Sequence, residues 1–287
     1  MIHQLNIYGR DKVETAIMRL QTYEPPEGYY LCFSGGKDSV VIKALADMAG
    51  VKYDAHYSVT SVDPPELVKF IKDEYLDVEF TYPRDKDGNR ITMWNLIPKK
   101  KMPPTRIARY CCAQLKETGG KGRLKITGVR WAESSRRKVS HSEVTFMDKK
   151  VKALIEKELS DEDFSSTPQG GVVLRLDNRE NARIVEMCYK THTTAINPII
   201  DWSDAEIWEF IKEYKVPYCS LYDKGYKRLG CVGCPMSTNQ RTELDRYPKY
   251  KNLYLIAFDK MLKQLDDAKL ITTWHSANDV MNWWINL

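Results

Sequence analysis

The hexapeptide Ser34-Gly35-Gly36-Lys37-Asp38-Ser39 holds residue types that can bind a polyphosphate. Two adjacent glycines let backbone amides approach an anion with no Cβ in the way, and a helix starting there adds positive potential. Lys37 adds a full charge, Ser34 and Ser39 add hydroxyl donors, and Asp38 offers a carboxylate to Mg²⁺. The spacing is too short for a G-x-x-x-x-G-K-[ST] loop. Lys37 and Asp38 are the expected catalytic pair, with Ser34, Gly35, Gly36 and Ser39 as nucleotide ligands.

A second chemistry is written in cysteine. Of seven cysteines, Cys111-Cys112 are adjacent, and Cys231-Val232-Gly233-Cys234 is a C-x-x-C pair in a turn-forming context. In a reducing compartment clustered thiols serve as metal ligands or catalytic groups more often than as disulfides. Four thiolates suit tetrahedral zinc or an iron–sulfur cluster. Adjacent cysteines strain to grip one small ion but reach separate irons of a cubane, so a [4Fe–4S] cluster is expected on Cys111, Cys112, Cys231 and Cys234, with zinc as the alternative. Cys32, Cys188 and Cys219 stand alone and read as small buried hydrophobes. His192 has no partner at a readable spacing and is taken as a surface or hydrogen-bonded residue.

The elements that must position these groups follow from hydrophobic periodicity. Residues 29–33 read as a short buried strand, followed by the Gly35-Gly36 turn and a helix with Val41, Leu45 and Met48 on one face, ending at Gly50. A second strand is expected at 52–59. Asp63-Pro64-Pro65-Glu66 then reads as a capped helix start, with Leu67, Phe70 and Ile71 inward. That reading makes Asp63 and Glu66 caps. A third strand near 78–82 completes a β-α-β-α-β run, which implies a parallel twisted sheet with helices on both faces, an α/β fold. Another strand is expected at 125–129. Residues 139–196 look like an insertion, with a charged helix-like part at 148–160 and a turn-rich segment at 165–171. Ser203-Asp204-Ala205-Glu206 opens a further helix with a capping box. After Cys234 the chain reads as helical, with Trp274, Trp283 and Trp284 as packing or partner surface.

A chain of 287 residues with 43% hydrophobic content can fill a substantial core. No apolar run nears the ~20 residues that a bilayer helix needs, and the first residues carry no secretory pattern, so a cytoplasmic protein without a membrane partner is expected. The net charge of +5 conceals an asymmetry. Between Lys99 and Lys138 thirteen Lys and Arg stand against two acids, Glu117 and Glu133. Such a stretch suits nucleotide phosphates or a nucleic acid, either DNA or tRNA. Lys99, Lys100 and Lys101 lie outside the motifs and are the nucleic-acid candidates.

The phosphate loop resembles that of the PP-loop ATP pyrophosphatase superfamily. Cys111-Cys112-Ala113-Gln114-Leu115-Lys116 is similar to the double-cysteine motif of the phosphoadenosine-phosphosulfate (PAPS) and adenosine-phosphosulfate reductase family, in which a lysine sits where Lys116 is. Gly128-Val129-Arg130, with Ser134 and Arg137, resembles that family's glycine–arginine strand end. Residues 197–202 and 218–234 resemble its C-terminal half. The resemblance spans roughly residues 28–236 and implies an adenine nucleotide alpha hydrolase-like fold. It implies nucleotide contacts from Gly128, Arg130, Ser134 and Arg137, a catalytic role for Lys116, and a [4Fe–4S] cluster as in the adenosine-phosphosulfate-reducing branch. The expected organisation is a nucleotide-binding domain of residues 1–138 and 197–236, an insertion at 139–196, and a helical C-terminal region at 237–287.

Two departures from that family bear on chemistry. Its reductases attack sulfur with a cysteine near the C-terminus, whereas here no cysteine follows Cys234. They also carry a degenerate loop, whereas this one is complete. The expectation is therefore cleavage of ATP to AMP and pyrophosphate, activating an acceptor for sulfur transfer, as in DNA phosphorothioation proteins and tRNA thiolases. The sulfur donor or reductant protein is unreadable. The alternatives are thioredoxin-dependent reduction of a sulfonucleotide, and a non-catalytic nucleotide-binding assembly subunit.

Overall fold

The computed structural model describes residues 1–6, 9–147, 151–152, 155–156, 163–167, 171–174, 184–186 and 188–287. Most of the expected helix at 148–160 and residues 168–170 of the turn-rich segment lie outside these. Contacts divide the chain into two compact units. The first comprises Met1–Tyr57, Lys69–Glu79 and Gly120–Arg228, and the second Ser58–Val68, Phe80–Gly119 and Leu229–Leu287.

The chain forms an α/β sheet that lies mostly in the first unit. Its strands are β1 (Tyr29–Phe33), β2 (Tyr53–Ser58), β3 (Glu79–Thr81), β4 (Lys125–Ile126), β5 (Val144–Phe146), β6 (Phe164–Ser166), β7 (Val172–Leu174) and β8 (Thr194–Ile196). They lie in the order β3-β2-β1-β4-β8-β5-β7-β6, with helices on both sides of the sheet. Strand β1 pairs in parallel with β2 and β4, and β4 with β8, as the β-α-β reading predicts. The 139–196 segment contributes β5, β6 and β7, which add to β8 antiparallel, so the sheet is mixed. Chain order reverses between β2-β1 and β4, which makes the C-terminal edge of β1 the switch point where open α/β sheets bind ligands.

Helix α1 (Lys12–Thr22) starts from a complete capping box on Asp11 and Glu14. Helix α2 (Lys37–Ala49) follows the loop and ends on left-handed Gly50, as expected. Its buried stripe runs through Val41, Leu45 and Ala49 together with Ile42 and Ala46, while Met48 is exposed. Val41 and Leu45 face inward as expected, and Ala49 takes the place expected of Met48. Helix α3 (Pro65–Glu74) carries Leu67 and Ile71 inward.

The second unit is helical. It contains α4 (Met93–Lys100) and α5 (Tyr110–Leu115). In the first unit the chain then forms α6 (Ser135–Ser140) and α7 (Asp204–Glu213). It returns to the second as α8 (Gln240–Arg246), α9 (Pro248–Asp267) and α10 (Ala277–Ile285). A core of Leu96, Ile97, Leu115, Leu244, Tyr254, Phe258 and Trp284 joins them. Trp284 is fully buried and donates its indole N–H to the Pro104 carbonyl at 2.6 Å. Truncating a buried tryptophan of this kind costs about 3–5 kcal/mol. Trp283 remains exposed and meets Trp274 edge-on. No helix among the described residues is long and apolar enough to cross a membrane.

Candidate functional site

The phosphate loop leaves β1 and turns on Gly35, whose φ of +70° is the left-handed region that favours glycine. Gly36 is the N-cap of α2. The Ser39 hydroxyl donates to the Gly36 carbonyl at 2.8 Å, and the Ser34 and Ser39 hydroxyls lie 3.2 Å apart. These bonds hold both serines on the loop. The Lys37 amide donates to the Tyr222 hydroxyl at 2.8 Å, which fastens the first turn of α2.

Charge is arranged tightly around Lys37 and Asp38. Arg130, only 1% exposed, donates from Nε to Asp38 Oδ1 at 2.7 Å, from Nη1 to the Trp202 carbonyl at 3.0 Å, and from Nη2 to Asp204 Oδ1 at 2.6 Å. The Lys37 ammonium lies 3.4 Å from both Asp38 Oδ2 and Asp204 Oδ1. Burial opposes ionisation of Asp204, but the Arg130 hydrogen bond and the Lys37 charge outweigh it and hold its carboxyl below the usual range. Arg130, expected as a nucleotide ligand, is thus engaged on all sides by protein groups and positions Asp38. Gly128 has a similar part. A Cβ there would lie 3.0 Å from the Asp38 Cβ and 3.2 Å from its backbone, so the glycine makes room for Asp38 itself.

Ser134 is the N-cap of α6 and accepts the Arg137 amide at 3.3 Å. The Arg137 guanidinium is paired with Glu133. Burial raises the Glu133 carboxyl and lowers Arg137, and Arg228 adds a further positive charge beside both. The sequence assigns no site role to Asp204, Tyr222 or Arg228, although Asp204 lies in the Ser203 capping box and Tyr222 in the segment 218–234 that resembles the family. Asp204 follows Ser203 in a capping box and reads there as a partner of the helix dipole alone.

The thiols occupy the second unit. Cys111 and Cys112 lie in the first turn of α5, and Arg109 Nη2 reaches Cys112 Sγ at 3.5 Å. A hydrogen bond from the Cys111 thiol, helped by Arg109, holds Cys112 below the usual thiol range, and the same bond raises Cys111. The C-x-x-C turn closes by the Cys234 amide on the Cys231 carbonyl at 3.2 Å. Gly233 has φ +73°, and a Cβ there would lie 2.9 Å from Leu244 and 3.2 Å from Tyr254. Its amide donates to Glu243 Oε2 at 3.3 Å and its carbonyl accepts from Gln240 at 3.2 Å. Charge interactions link Cys111 with Cys112 and Cys231, and Cys231 with Cys234.

Lys116 is drawn to this sulfur group. The Cys231 charge raises its pKa above the ordinary lysine value, with Asp63 and Cys112 contributing. Asp63 is 5% exposed and accepts the Thr60 amide at 3.0 Å. Its carboxylate therefore serves the loop before α3 and the Lys116 charge, a role that the capping pattern did not suggest. Among the expected catalytic residues the structure joins Lys37 to Asp38 in the first unit and places Lys116 among the thiols in the second.

The basic stretch resolves into engaged and exposed residues. Arg106 donates to the Pro235 carbonyl at 3.0 Å, Arg123 reaches Asp54 at 2.6 Å, and Arg109, Lys116, Arg130 and Arg137 are engaged as described. Lys99, Lys100, Lys101, Lys121, Arg136 and Lys138 are exposed.

A family model described as the phosphoadenosine phosphosulfate reductase domain matches residues 28–237. An uncharacterized protein of Methanocaldococcus jannaschii is 25% identical over 239 residues, covering 81% of this chain and 46% of that protein. The phosphoadenosine 5'-phosphosulfate reductase of Xylella fastidiosa is 33% identical over 89 residues, covering 30% of this chain and 32% of that enzyme. The chain spans less than half the length of these curated relatives. The crystal structure of PAPS reductase from Candida auris in its phosphate complex aligns with a TM-score of 0.44 at 15% identity, over 79% of this chain and 90% of that one. With the family model matched over most of its length, the chain belongs to the phosphoadenosine phosphosulfate reductase domain family.

Proposed function

We propose that the protein is an ATP-dependent enzyme of this family that cleaves ATP between the α- and β-phosphates and activates an acceptor for sulfur transfer. The observation that carries the reading is the Lys37–Asp38 pair at the start of α2, held by buried Arg130 and Asp204. An acceptor oxygen attacks the α-phosphorus, the bond to the bridging oxygen breaks, and pyrophosphate leaves with its electron pair. Lys37 and the amides of the α2 N-terminus stabilise the charge that develops on that leaving group. Asp38 supplies a carboxylate for Mg²⁺, and Arg130 sets its orientation. A sulfur nucleophile then displaces AMP from the acceptor.

The donor set of the second unit fits an iron–sulfur cluster. Cys111, Cys112, Cys231 and Cys234 share one neighbourhood with the cationic groups of Lys116 and Arg109, which offset thiolate charge. Among the described residues no three Cys, His, Asp or Glu side chains converge as one bare ion demands. A cubane asks less, because each thiolate binds its own iron. When bound, such a cluster supplies a site where sulfur or electrons can be held. The chain's own residues would hold it: Glu243 and Gln240 clamp the Gly233 peptide, and Lys116 would attract anions to the sulfur group. Zinc, the alternative on the same thiols, would require them to draw together around one ion.

Sulfonucleotide reduction is the second reading, because named relatives include PAPS and adenosine 5'-phosphosulfate reductases. It needs an accessible thiol for attack on sulfur, and Cys188 and Cys219, the substitutes closest to that role in sequence, have no exposed surface. Burial also pushes the Cys188 thiol up to about 11. Product analysis separates the readings. Mg²⁺-dependent formation of AMP and pyrophosphate from ATP supports the first, and sulfite released from adenosine phosphosulfate with thioredoxin, indifferent to ATP, supports the second.

A further inference from the structure

The exposed lysines Lys99, Lys100 and Lys101 are joined in the second unit by cations that precede them in sequence. Residues 82–91 form a hairpin closed by the Arg84–Arg90 bridge, with the Ile91 amide on the Pro83 carbonyl at 2.8 Å. The turn is rigid for local reasons. Asp85 Oδ1 accepts the amides of Asp87 and Asn89 at 3.0 and 2.9 Å, and Gly88 takes φ +82°. Thr92 then caps α4, and Asn95 donates to the Arg90 carbonyl at 2.9 Å, so the hairpin base is fixed to the helix. The Asn89 amide chiefly, with the Lys99 charge also contributing, holds the Asp85 carboxyl below its usual range, which puts the far end of α4 within electrostatic reach of the turn.

Six exposed cations result: Arg84, Lys86, Arg90, Lys99, Lys100 and Lys101. None of them makes an ion pair among the described residues, whereas Lys251 and Lys263 in the same unit are paired with Asp245 at 2.7 Å and Asp259 at 3.0 Å. Of the two acids within the turn, Asp85 is directed to backbone amides. Two arginines are also pre-ordered. Arg84 donates to the Gly88 carbonyl at 2.7 Å, and the Arg90 guanidinium lies 3.9 Å from the centroid of the Tyr82 ring. Tyr82 itself is 40% exposed.

We infer that this hairpin and the C-terminal end of α4 form a docking surface for single-stranded nucleic acid. Exposed cations outside any ion pair attract the phosphate backbone, and release of its counterions drives binding. The Tyr82–Arg90 stack offers planar, partly exposed groups on which an unpaired base can lie, and this feature favours a single strand over a duplex. A merely solvated basic face needs no such stack. The inference rests on the reading that the protein activates an acceptor for sulfur transfer, gives that acceptor a chemical class, and joins Lys99, Lys100 and Lys101 to hairpin cations outside the 99–138 stretch.

The test is fluorescence anisotropy of a labelled single-stranded oligonucleotide with full-length protein, without ATP, across a salt series. Six phosphate contacts predict a slope of log K against log salt of about −4, and Arg84→Ala/Lys86→Ala/Arg90→Ala should reduce it to about −2. Lys99→Gln/Lys100→Gln, on a separate element, should flatten the slope independently, so the result does not hang on the fold of one hairpin variant. Tyr82→Ala should weaken binding roughly ten-fold with the slope unchanged. Lys251→Gln/Lys260→Gln/Lys263→Gln removes three charges elsewhere on the unit and should leave both affinity and slope as in the wild type. Absent binding, an equal effect of the control variant, or displacement by polyglutamate as readily as by unlabelled strand would each overturn the inference. ATP cleavage that fails while binding persists would count against the catalytic reading alone.

Discussion

Replacing Arg130 with lysine isolates the geometry of the charge network from its net charge. The guanidinium presents Nε and Nη2 to two carboxylates and Nη1 to a backbone carbonyl, whereas an ammonium on a flexible stem serves them one at a time. The Asp204 side chain is 71% exposed, so its bond contributes at most about 1 kcal/mol after solvent screening. The Asp38 side chain is 22% exposed, and its charge-assisted bond is worth about 1.5–3 kcal/mol. The buried bond to the Trp202 carbonyl adds about 1 kcal/mol. A lysine that keeps one of the other two bonds and loses that to Asp38 leaves Arg130→Lys destabilised by about 2.5–4 kcal/mol, read as a lower urea midpoint with an unchanged m-value. Because Asp38 is then unheld, the affinity for Mg²⁺-ATP should fall at least ten-fold by calorimetry. A variant as stable as the wild type, with full nucleotide affinity, would refute the assignment of Arg130 as the residue that positions Asp38.

Other expectations follow from single contacts. Gly128→Ala sets a methyl 3.0 Å from the Asp38 side chain and 3.2 Å from its backbone, and should cost about 1–3 kcal/mol in urea unfolding and weaken nucleotide binding. Protein purified without oxygen should be brown with about four irons and four sulfides, and Cys112→Ser or Cys231→Ser should bleach it; stoichiometric zinc without labile sulfide would remove the cluster from the account. Burial opposes ionisation of Glu206, yet the Ser203 amide and Lys12 bring its pKa down from 4.5 to about 2. A depressed carboxylate stabilises the fold above its unfolded pKa, so up to about 3 kcal/mol should be lost as pH falls from 4.5 toward 2, and Glu206→Gln should flatten that segment of the stability–pH curve.

How far the sequence reaches depends on whether a signal is local. The phosphate loop was legible because its glycine pair, flanking strand and following helix are consecutive, and the Gly50 stop and the Ser203 capping box were legible for the same reason. The parallel part of the sheet followed from alternation of strand and helix, while the antiparallel pairing of β5, β7 and β8 rests on contacts distant in sequence. The strand expected at 125–129 is only Lys125–Ile126, since Gly128 is already packed against Asp38. Asp204 and Asp63 were hidden because each sits in a pattern that a helix start fully explains. The basic stretch was legible only as a count of charge along the chain, which takes no account of arginines turned inward or of the hairpin cations at 84–90.

The central claim is that the loop reads the outer phosphates of a nucleoside triphosphate, and calorimetric titration with an ATP analogue carrying methylene between the α- and β-phosphates tests it most directly. With Mg²⁺, the wild type should bind the analogue at least ten-fold more tightly than AMP, the advantage of roughly one charge-assisted bond from Lys37. Lys37→Ala should erase that difference and leave AMP binding unchanged. Equal affinity of the wild type for AMP and the analogue, with no dependence on Lys37, would contradict the account.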